Sequence, residues 1–558
     1  MIQFSKTAIP VLLLLINIAA LSSNPDTRTF RISKNLSVYN AIFRELDAFY
    51  VDTINYDKLN STAINHLLRQ LDPYTVFIPE NETDNLKFMT TGEYAGIGAL
   101  ITKFDNKIYV SELYEGMPAH RNDVRVGDVI LEVDGVVVQN QNTAQVSAML
   151  KGTPSTSVRL KLTRMGESKP LKKEFLREKI FVNPIDFSAV LSSKIGYAHL
   201  SDFTDKSASE LKKVIVDFEK HQRIESMIID LRNNGGGLID EAVKIMGFFV
   251  PKGSKVVSTK GKSEFTERVY KTTTEPLFPN IKLVILVNGS SASASEILAG
   301  AVQDLDRGIV IGERTFGKGL VQNIRPVGHG GLLKMTTAKY YMPSGRCVQA
   351  IDYTHKSENG SATRVPDSLT TVFKTSNGRL VRNGGGVLPD IVIADKRKMN
   401  IAHYLFLQNR YFEFANDFVL KNKRIAKPSE FALSDQDFES FLQFLVDKKF
   451  SYETETEKMY RELQKLAADE GLDIYASDEF KALEQKLKPD IARNIADNRN
   501  DVVELLSLEI IKRFYFQRGE IEFSLRSDPE LKEAIRTLTE EHVYETLLMP
   551  PNQISITK

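Results

Sequence analysis

Apolar and polar positions change period several times along the chain, and each change predicts a different kind of element. From about Lys34 to Met89 apolar residues recur at helical spacing, as at Val38, Ile42, Leu46 and Phe49, which predicts a small helical subdomain over residues 34–90. Within it Leu71-Asp72-Pro73-Tyr74 reads as a turn, since proline follows a short polar residue. From Gly92 to about Arg177 come short β-type runs broken by glycine: Ile97 to Thr102, Ile108 to Leu113, Val129 to Val133 and Val158 to Thr163. They predict a strand-rich module over 91–177, partly open at one sheet edge.

Strand-like runs then alternate with helical ones. The former are Ile195 to Leu200, Met227 to Leu231, Leu283 to Val287, Ile309 to Gly312 and Leu332 to Tyr341; the latter are Ser207 to His221, Leu238 to Phe248 and Glu296 to Leu305. This alternation predicts an α/β core over 178–398, with the polar stretch Thr354 to Gly386 as a long excursion. Beyond Met399 helices dominate, over 399–550. Their signals include the start Ser434-Asp435-Gln436-Asp437 and an amphipathic stretch from Glu453 to Ala468. The pattern assigns these last helices no chemistry, and they are candidates for contacts that would build a homo-oligomer.

Composition narrows the class. With 558 residues the chain exceeds one core and divides into about three or four domains. Lys plus Arg number 73 against 72 for Asp plus Glu, so no positive field gathers nucleic acid. Lys6, the apolar stretch from Ala8 to Leu21, and Ala20-Leu21-Ser22 have the layout of a secretory signal peptide over residues 1–23. The alternative is an uncleaved anchor, with membrane association through residues 1–23; either way the folded part is expected in the periplasm or elsewhere outside the cytoplasm. Cys347 is the single cysteine, which excludes an intrachain disulfide and a lipid-bearing cysteine near the N-terminus.

Three stretches carry candidate chemistry. In Asn288-Gly289-Ser290-Ser291-Ala292-Ser293-Ala294-Ser295-Glu296 a buried strand runs through small residues into a helix, bringing a hydroxyl and backbone N–H groups to a helix N-terminus. Ser293-x-x-Glu296 is also a capping box, and capping alone would explain both residues. In Gly312-Glu313-Arg314-Thr315-Phe316-Gly317-Lys318-Gly319-Leu320-Val321-Gln322 a lysine stands between glycines. Such a lysine is a solvated turn residue unless burial brings its pKa from about 10.4 towards neutrality, where it can act as base to a serine. By strand alternation Gln322 shares a face with Lys318 and is placed to orient the amine. The third stretch, Asp230 to Gly237, ends in three glycines before a helix, a turn rich in N–H groups suited to an oxyanion or simply a tight connection. None of the eight histidines lies in the serine or lysine stretches, and neither a Gly-x-Ser-x-Gly nor a His-Glu-x-x-His motif occurs.

Together these stretches resemble the C-terminal processing peptidases, or tail-specific proteases. The matching pieces are Ser291 to Ile297, Phe316-Gly317-Lys318-Gly319 through Gln322, Asp230 to Gly237, Tyr341-Met342-Pro343-Ser344-Gly345-Arg346 and Gly386-Val387-Leu388-Pro389-Asp390-Ile391. The resemblance covers roughly Lys34 to Asp395. It implies an α/β protease core related to the crotonase and Clp protease fold, with Ser293 as nucleophile, Lys318 as general base, Gln322 positioning the lysine, and the amides of Gly237 and Ala294 as oxyanion hole. It also implies that the strand-rich module is a PDZ domain whose loop Gly96-Ile97-Gly98-Ala99 takes a terminal carboxylate while the next strand pairs with an extended peptide. Gly235 and Cys347 depart from the family pattern, where proline and serine are frequent; neither touches the reacting atoms.

The expected function is an exported serine endopeptidase acting on polypeptides with free C-termini through an acyl-enzyme, with no metal or organic cofactor needed. One rival is a non-catalytic PDZ adaptor that binds tails, with Ser293 only a helix cap and Lys318 solvated. Another, an acyl-CoA-type hydrolase, lacks a basic cluster for a nucleotide phosphate.

Overall fold

A computed structural model describes residues 28–80, 91–191, 194–356, 362–394 and 399–550. The proposed export signal, residues 1–23, lies outside the described residues. Among the described residues, no helix is long and apolar enough to cross a membrane. The chain divides into two compact units, Met1–Phe77 and Ile78–Lys558.

In the first unit the helical spacing gives two helices, Arg28–Phe49 and Tyr56–Arg69. Asn55 starts the second by accepting the Lys58 N–H at 3.0 Å, an N-cap. The turn at Leu71-Asp72-Pro73-Tyr74 is built by the Asp72 carboxylate, which accepts the N–H groups of Tyr74 and Thr75, each at 2.8 Å.

The second unit begins with the strand-rich module. Its sheet runs in the order Ala99–Phe104, Lys107–Leu113, Val129–Val133, Ser157–Thr163 and Leu171–Leu176, so Ala99–Phe104 is an edge. Alternate residues Val158, Leu160 and Leu162 turn inward onto Ile108, Val110 and Val133, and the helix Thr143–Leu150 packs Val146 and Leu150 over them. The edge strand starts at Ala99 and not at Ile97, because Gly98 takes φ 75° and makes Ile97 part of a loop. A shorter strand, Glu93–Gly96, pairs with Glu178–Phe181.

The α/β core holds a six-stranded sheet in the order Ile185–Leu191, Ile195–Leu200, Ser226–Asp230, Lys282–Val287, Ile309–Gly312 and Ile391–Val392. Only the first pair is antiparallel. Ser226–Asp230 is buried throughout, which is why it reads as an apolar run without alternation. Met227, Ile229, Leu283 and Ile285 face the helices Ser207–Gln222, Ile239–Met246 and Ala294–Asp304. Ile228, Val284 and Leu286 point to the opposite face, where Leu531, Ala534 and Leu538 of the helix Pro529–Thr539 cover them. The C-terminal helices thus close the second face of the sheet, and the Tyr544 hydroxyl lies 3.0 Å from the Leu283 amide, whose N–H donates to it.

The expected excursion after Thr354 is more structured than its polarity predicts. It carries the strand pair Val372–Lys374 and Leu380–Arg382, and Arg379 is buried against Asp306 at 2.6 Å and Asp390 at 2.5 Å. A lone arginine in a polar stretch gives no sign that its partners lie in the core.

Beyond residue 399 an aromatic cluster of Tyr411, Phe414, Phe418 and Phe441 packs on Leu506 and Ile510 of the long helix Arg499–Ser524. That helix breaks at Phe516 (φ 55°, ψ −160°), whose ring stands 4.8 Å from that of His120 in the strand-rich module. Between the core sheet and these helices lies a cavity of about 1020 Å³, lined by His199, Asp230, Arg232, Glu520, Asp528 and Glu530 among others. At its wall His199 meets Asp186 at 2.6 Å, and its other ring nitrogen lies 3.4 Å from the Arg232 carbonyl. Burial pulls the His199 pKa down, but the Asp186 hydrogen bond and charge outweigh it, so the net shift is upward.

Leu286→Ala should cost about 3 kcal/mol in denaturant unfolding, since it opens a void between sheet and C-terminal helix. For His199 a raised pKa stabilises the folded chain below the ordinary histidine value, and that contribution is lost as pH rises through the raised one. Melting temperatures taken between about pH 6 and pH 8 should therefore fall more for the native chain than for His199→Asn; parallel profiles would show that the pair carries no linkage.

Candidate active site

The strand Lys282–Val287 delivers the chain to Asn288, whose side chain exchanges two hydrogen bonds with Asn233 of the glycine turn, at 2.9 and 3.0 Å. Four serines follow: the exposed Ser290, then Ser291, Ser293 and Ser295 in alternation. The Ser291 hydroxyl donates to the Leu231 carbonyl at 2.8 Å and accepts the Asn288 N–H at 2.9 Å; the Ser295 hydroxyl donates to the Asn234 carbonyl at 2.9 Å. Both are buried and committed to joining the two turns, whereas Ser293 between them is partly exposed.

Ser293 is the N-cap residue of the helix Ala294–Asp304, but its backbone sits at φ 57°, ψ −113°. An ordinary N-cap lies in the β region, so capping alone does not account for this residue. Conformations of this kind cost of order 1–3 kcal/mol and persist only where the surroundings over-determine them. Here the surroundings are Glu296 and Tyr340.

The Glu296 carboxylate is fully buried and accepts four hydrogen bonds. One oxygen takes the Thr315 hydroxyl at 2.6 Å and the Gly317 N–H at 2.8 Å; the other takes the N–H groups of Lys318 at 2.8 Å and Ser293 at 2.9 Å. One carboxylate oxygen therefore fastens the backbones of Ser293 and Lys318 together. Desolvation pushes the Glu296 pKa up against the opposing pull of these donors, and the net shift is upward. From the other side the Tyr340 hydroxyl lies 2.5 Å from the Lys318 carbonyl and 3.2 Å from that of Ser293.

Lys318 is partly buried, and its flanking glycines are demanded by close approach. A Cβ on Gly317 (φ 89°) would stand 2.3 Å from the Ala350 Cβ, and one on Gly319 would stand 2.7 Å from the Gln349 backbone nitrogen. Strand alternation does not link Lys318 to Gln322 as expected. The strand Leu320–Gly328 begins only after the lysine, so its alternation does not reach back to Lys318, and the bulge opposite Val321 and Gln322 lies on the partner strand at Thr337. The Gln322 amide donates to the Thr336 hydroxyl at 3.2 Å across the hairpin.

The glycine turn lies flat against the serine. A Cβ on Gly236 would stand 2.7 Å from the Ser293 Cβ and 2.8 Å from the Ala294 nitrogen, and one on Gly237 would meet the Phe203 carbonyl at 2.3 Å. The Gly236 N–H is spent on the Asn234 side chain at 2.8 Å. The turn is rooted by Arg232, which reaches the buried Asp230 at 2.6 Å and Asp528 of the C-terminal region at 2.5 Å. Burial alone would raise the Asp230 pKa, but the Arg232 charge and hydrogen bonds hold it below the usual range.

In the strand-rich module the loop Gly96-Ile97-Gly98-Ala99 is pinned by its carbonyls. Ile97 accepts the Ala119 N–H at 2.9 Å and Gly98 that of Tyr114 at 3.1 Å, and a Cβ on Gly98 would collide with Met117 at 2.4 Å.

Sequence reasoning brought together Ser293, Lys318 and the glycine turn but missed what joins them. Glu296 read only as a cap, Tyr340 as a strand residue, and the second partner of Arg232, Asp528, lies 296 residues away. Only the Ser293-x-x-Glu296 spacing offered a signal.

Comparison with known proteins finds matches along most of the chain. The family model described as peptidase family S41 matches residues 194–357, a PDZ-domain model matches 109–164, and one for the C-terminal helical domain of a probable PDZ-protease matches 401–538. A carboxy-terminal-processing protease from Bartonella bacilliformis is 33% identical over 344 residues, covering 61% of this chain and 78% of that protein. A probable CtpA-like serine protease from Staphylococcus aureus is 34% identical over 317 residues, covering 56% of this chain and 62% of the relative. Among solved structures, the photosystem II D1 C-terminal processing protease aligns at 26% identity and a TM-score of 0.35, over 64% of this chain and 88% of that one. The chain belongs to peptidase family S41, among the carboxy-terminal-processing serine proteases, and carries a PDZ domain and a C-terminal helical domain.

Proposed function

We propose that the chain is an exported serine endopeptidase that takes protein tails by their free C-termini through the PDZ domain and cuts near them with a Ser293–Lys318 dyad. The observation that carries this reading is the double fastening of the two residues: Glu296 accepts both their amides and the Tyr340 hydroxyl lies against both their carbonyls.

In this mechanism the neutral Lys318 amine takes the Ser293 proton as Oγ attacks the scissile carbonyl carbon. Negative charge moves to the carbonyl oxygen, which the N–H groups of Gly237 and Ala294 receive at the helix N-terminus. Collapse expels the new amine, which takes the proton from Lys318 and leaves an acyl-enzyme. Water attacks the acyl group while Lys318 again acts as base, restoring the serine and releasing the carboxylate. Gln322, four residues after Lys318, is the residue proposed to position the amine. No step needs a metal or organic cofactor. Export is supported by the layout of residues 1–23, and tail recognition by the glycine loop beside an open sheet edge.

Ser293→Ala and Lys318→Ala should each lower peptide cleavage to about a thousandth or less with unchanged melting temperature. Fluorophosphonate labelling followed by mass spectrometry should find the adduct on Ser293; turnover near the native rate in either variant would sink the dyad. Glu296→Gln puts an NH₂ group against backbone donors and should lower kcat about a hundredfold. An unchanged kcat would show that the carboxylate does not set the geometry.

A further inference from the structure

Four strands of the second unit run in the order Leu320–Gly328, Gly331–Tyr341, Lys255–Gly261 and Arg268–Lys271, each antiparallel to its neighbour. None of the four contains Asp or Glu, in a chain whose charges balance at 73 to 72. Directly opposed residues of neighbouring strands share a face, and two such pairs join lysine to lysine: Lys255 with Lys271, and Lys260 with Lys339. The register puts both pairs on one face. Ser258 pairs with Val269 on one side and Tyr341 on the other; Lys260, Lys271 and Lys339 each lie two residues from one of these three, and Lys255 partners Lys271. The opposite face is the buried one, with Val257 and Tyr340. Lys260, Lys271 and Lys339 are exposed, Lys255 is half-buried, and among the described residues none of the four meets a carboxylate in an ion pair. The acids nearest in sequence, Glu264 and Glu267, stand in the turn beyond the strands. Like charges set directly opposite each other weaken a sheet, so an anionic partner gains here both by the ion pairs it makes and by the repulsion it relieves.

The position of the face decides which partner it fits. Lys339 adjoins Tyr340, whose hydroxyl lies against the carbonyls of Ser293 and Lys318, and it pairs with Leu320, two residues after Lys318. From Lys260 the lysines reach back to Lys255, about 17 Å along the strand, the length of about five extended residues. We propose that this face receives an acidic stretch of the polypeptide being cut, so that the peptidase selects substrates with a run of about five Asp or Glu residues close to the scissile bond. The proposal rests on the reading of Ser293 and Lys318 as the cutting residues and adds a substrate class to it. Selection acts through long-range attraction during encounter and through exposed ion pairs afterwards, both of which salt weakens. A polypeptide with Lys or Arg in the same stretch is repelled.

The test compares quenched fluorescent peptides ending in Ala-Val that differ only in one short block, Glu in one series and Gln in the other, set at successive distances from the C-terminus. At about 50 mM salt the native full chain should cleave the best Glu peptide with kcat/KM about five- to twentyfold above its Gln twin, with the difference lying in KM and vanishing at about 0.5 M salt. The double variant Lys260→Gln, Lys271→Gln relieves both like-charge pairs. It should melt no lower than the native chain, keep the native rate on the Gln peptides and lose most of the Glu preference. Equal kcat/KM for Glu and Gln at every block position overturns the proposal, as does a preference that the double variant retains in full. Lysine-dependent binding to phosphatidylglycerol vesicles, with equal cleavage of both series, overturns it too and assigns the face to an anionic membrane. If the native chain cuts no peptide of either series, the peptidase reading itself falls and the proposal with it, an outcome distinct from equal cleavage.

Discussion

A carboxylate withdrawn from water loses several kcal/mol of hydration, and it stays in a fold only where donors replace that water. Glu296 has four, and the identity of those donors organises the catalytic face: one belongs to the residue before the helix Ala294–Asp304, the others to the segment from Thr315 to Lys318. The Thr315 hydroxyl that serves Glu296 also accepts the Val387 N–H at 2.7 Å, so the Gly386-Val387 stretch is drawn into the same arrangement. Moving any of these segments would leave a buried charge short of a donor. That cost holds Ser293 in a left-handed conformation that it would not adopt unassisted.

The same logic runs through the C-terminal region. Arg232 joins the root of the glycine turn to Asp528, and the helix Pro529–Thr539 seals the second face of the sheet beneath it. Farther back, the broken helix Arg499–Ser524 sets Phe516 against His120, and Asn416 sits so close to Gly127 that a Cβ there would stand 2.4 Å from it. The C-terminal helices therefore touch both the PDZ domain and the base of the glycine turn. They are part of the structure that holds the site, not an appendage to it.

How much of this was legible in the sequence differs between elements. The runs Val129 to Val133, Ile195 to Leu200 and Ile309 to Gly312 appear as strands with those bounds, because buried parallel strands are continuous apolar runs and exposed ones alternate. Ser434 caps its helix as read, a local event within one turn. By contrast, the polar stretch after Thr354 hid a buried arginine, and Lys318 lies before the strand Leu320–Gly328, outside the alternation that carries Gln322.

Taken alone, the sequence determined the order of helical and strand-forming segments and the turns where only glycine fits. It also supplied the hydroxyl, the amine and the glycine turn from which the proposed site is built. These follow from period, side-chain size and backbone freedom, all properties of a few consecutive residues. Tertiary structure alone decided which of the alternating serines Ser291, Ser293 and Ser295 stays partly exposed, which carboxylate ties it to the lysine, and which helix closes the sheet. Those outcomes depend on burying groups from distant segments against one another, and a buried polar group accepts whatever partner the packed fold brings within hydrogen-bond reach.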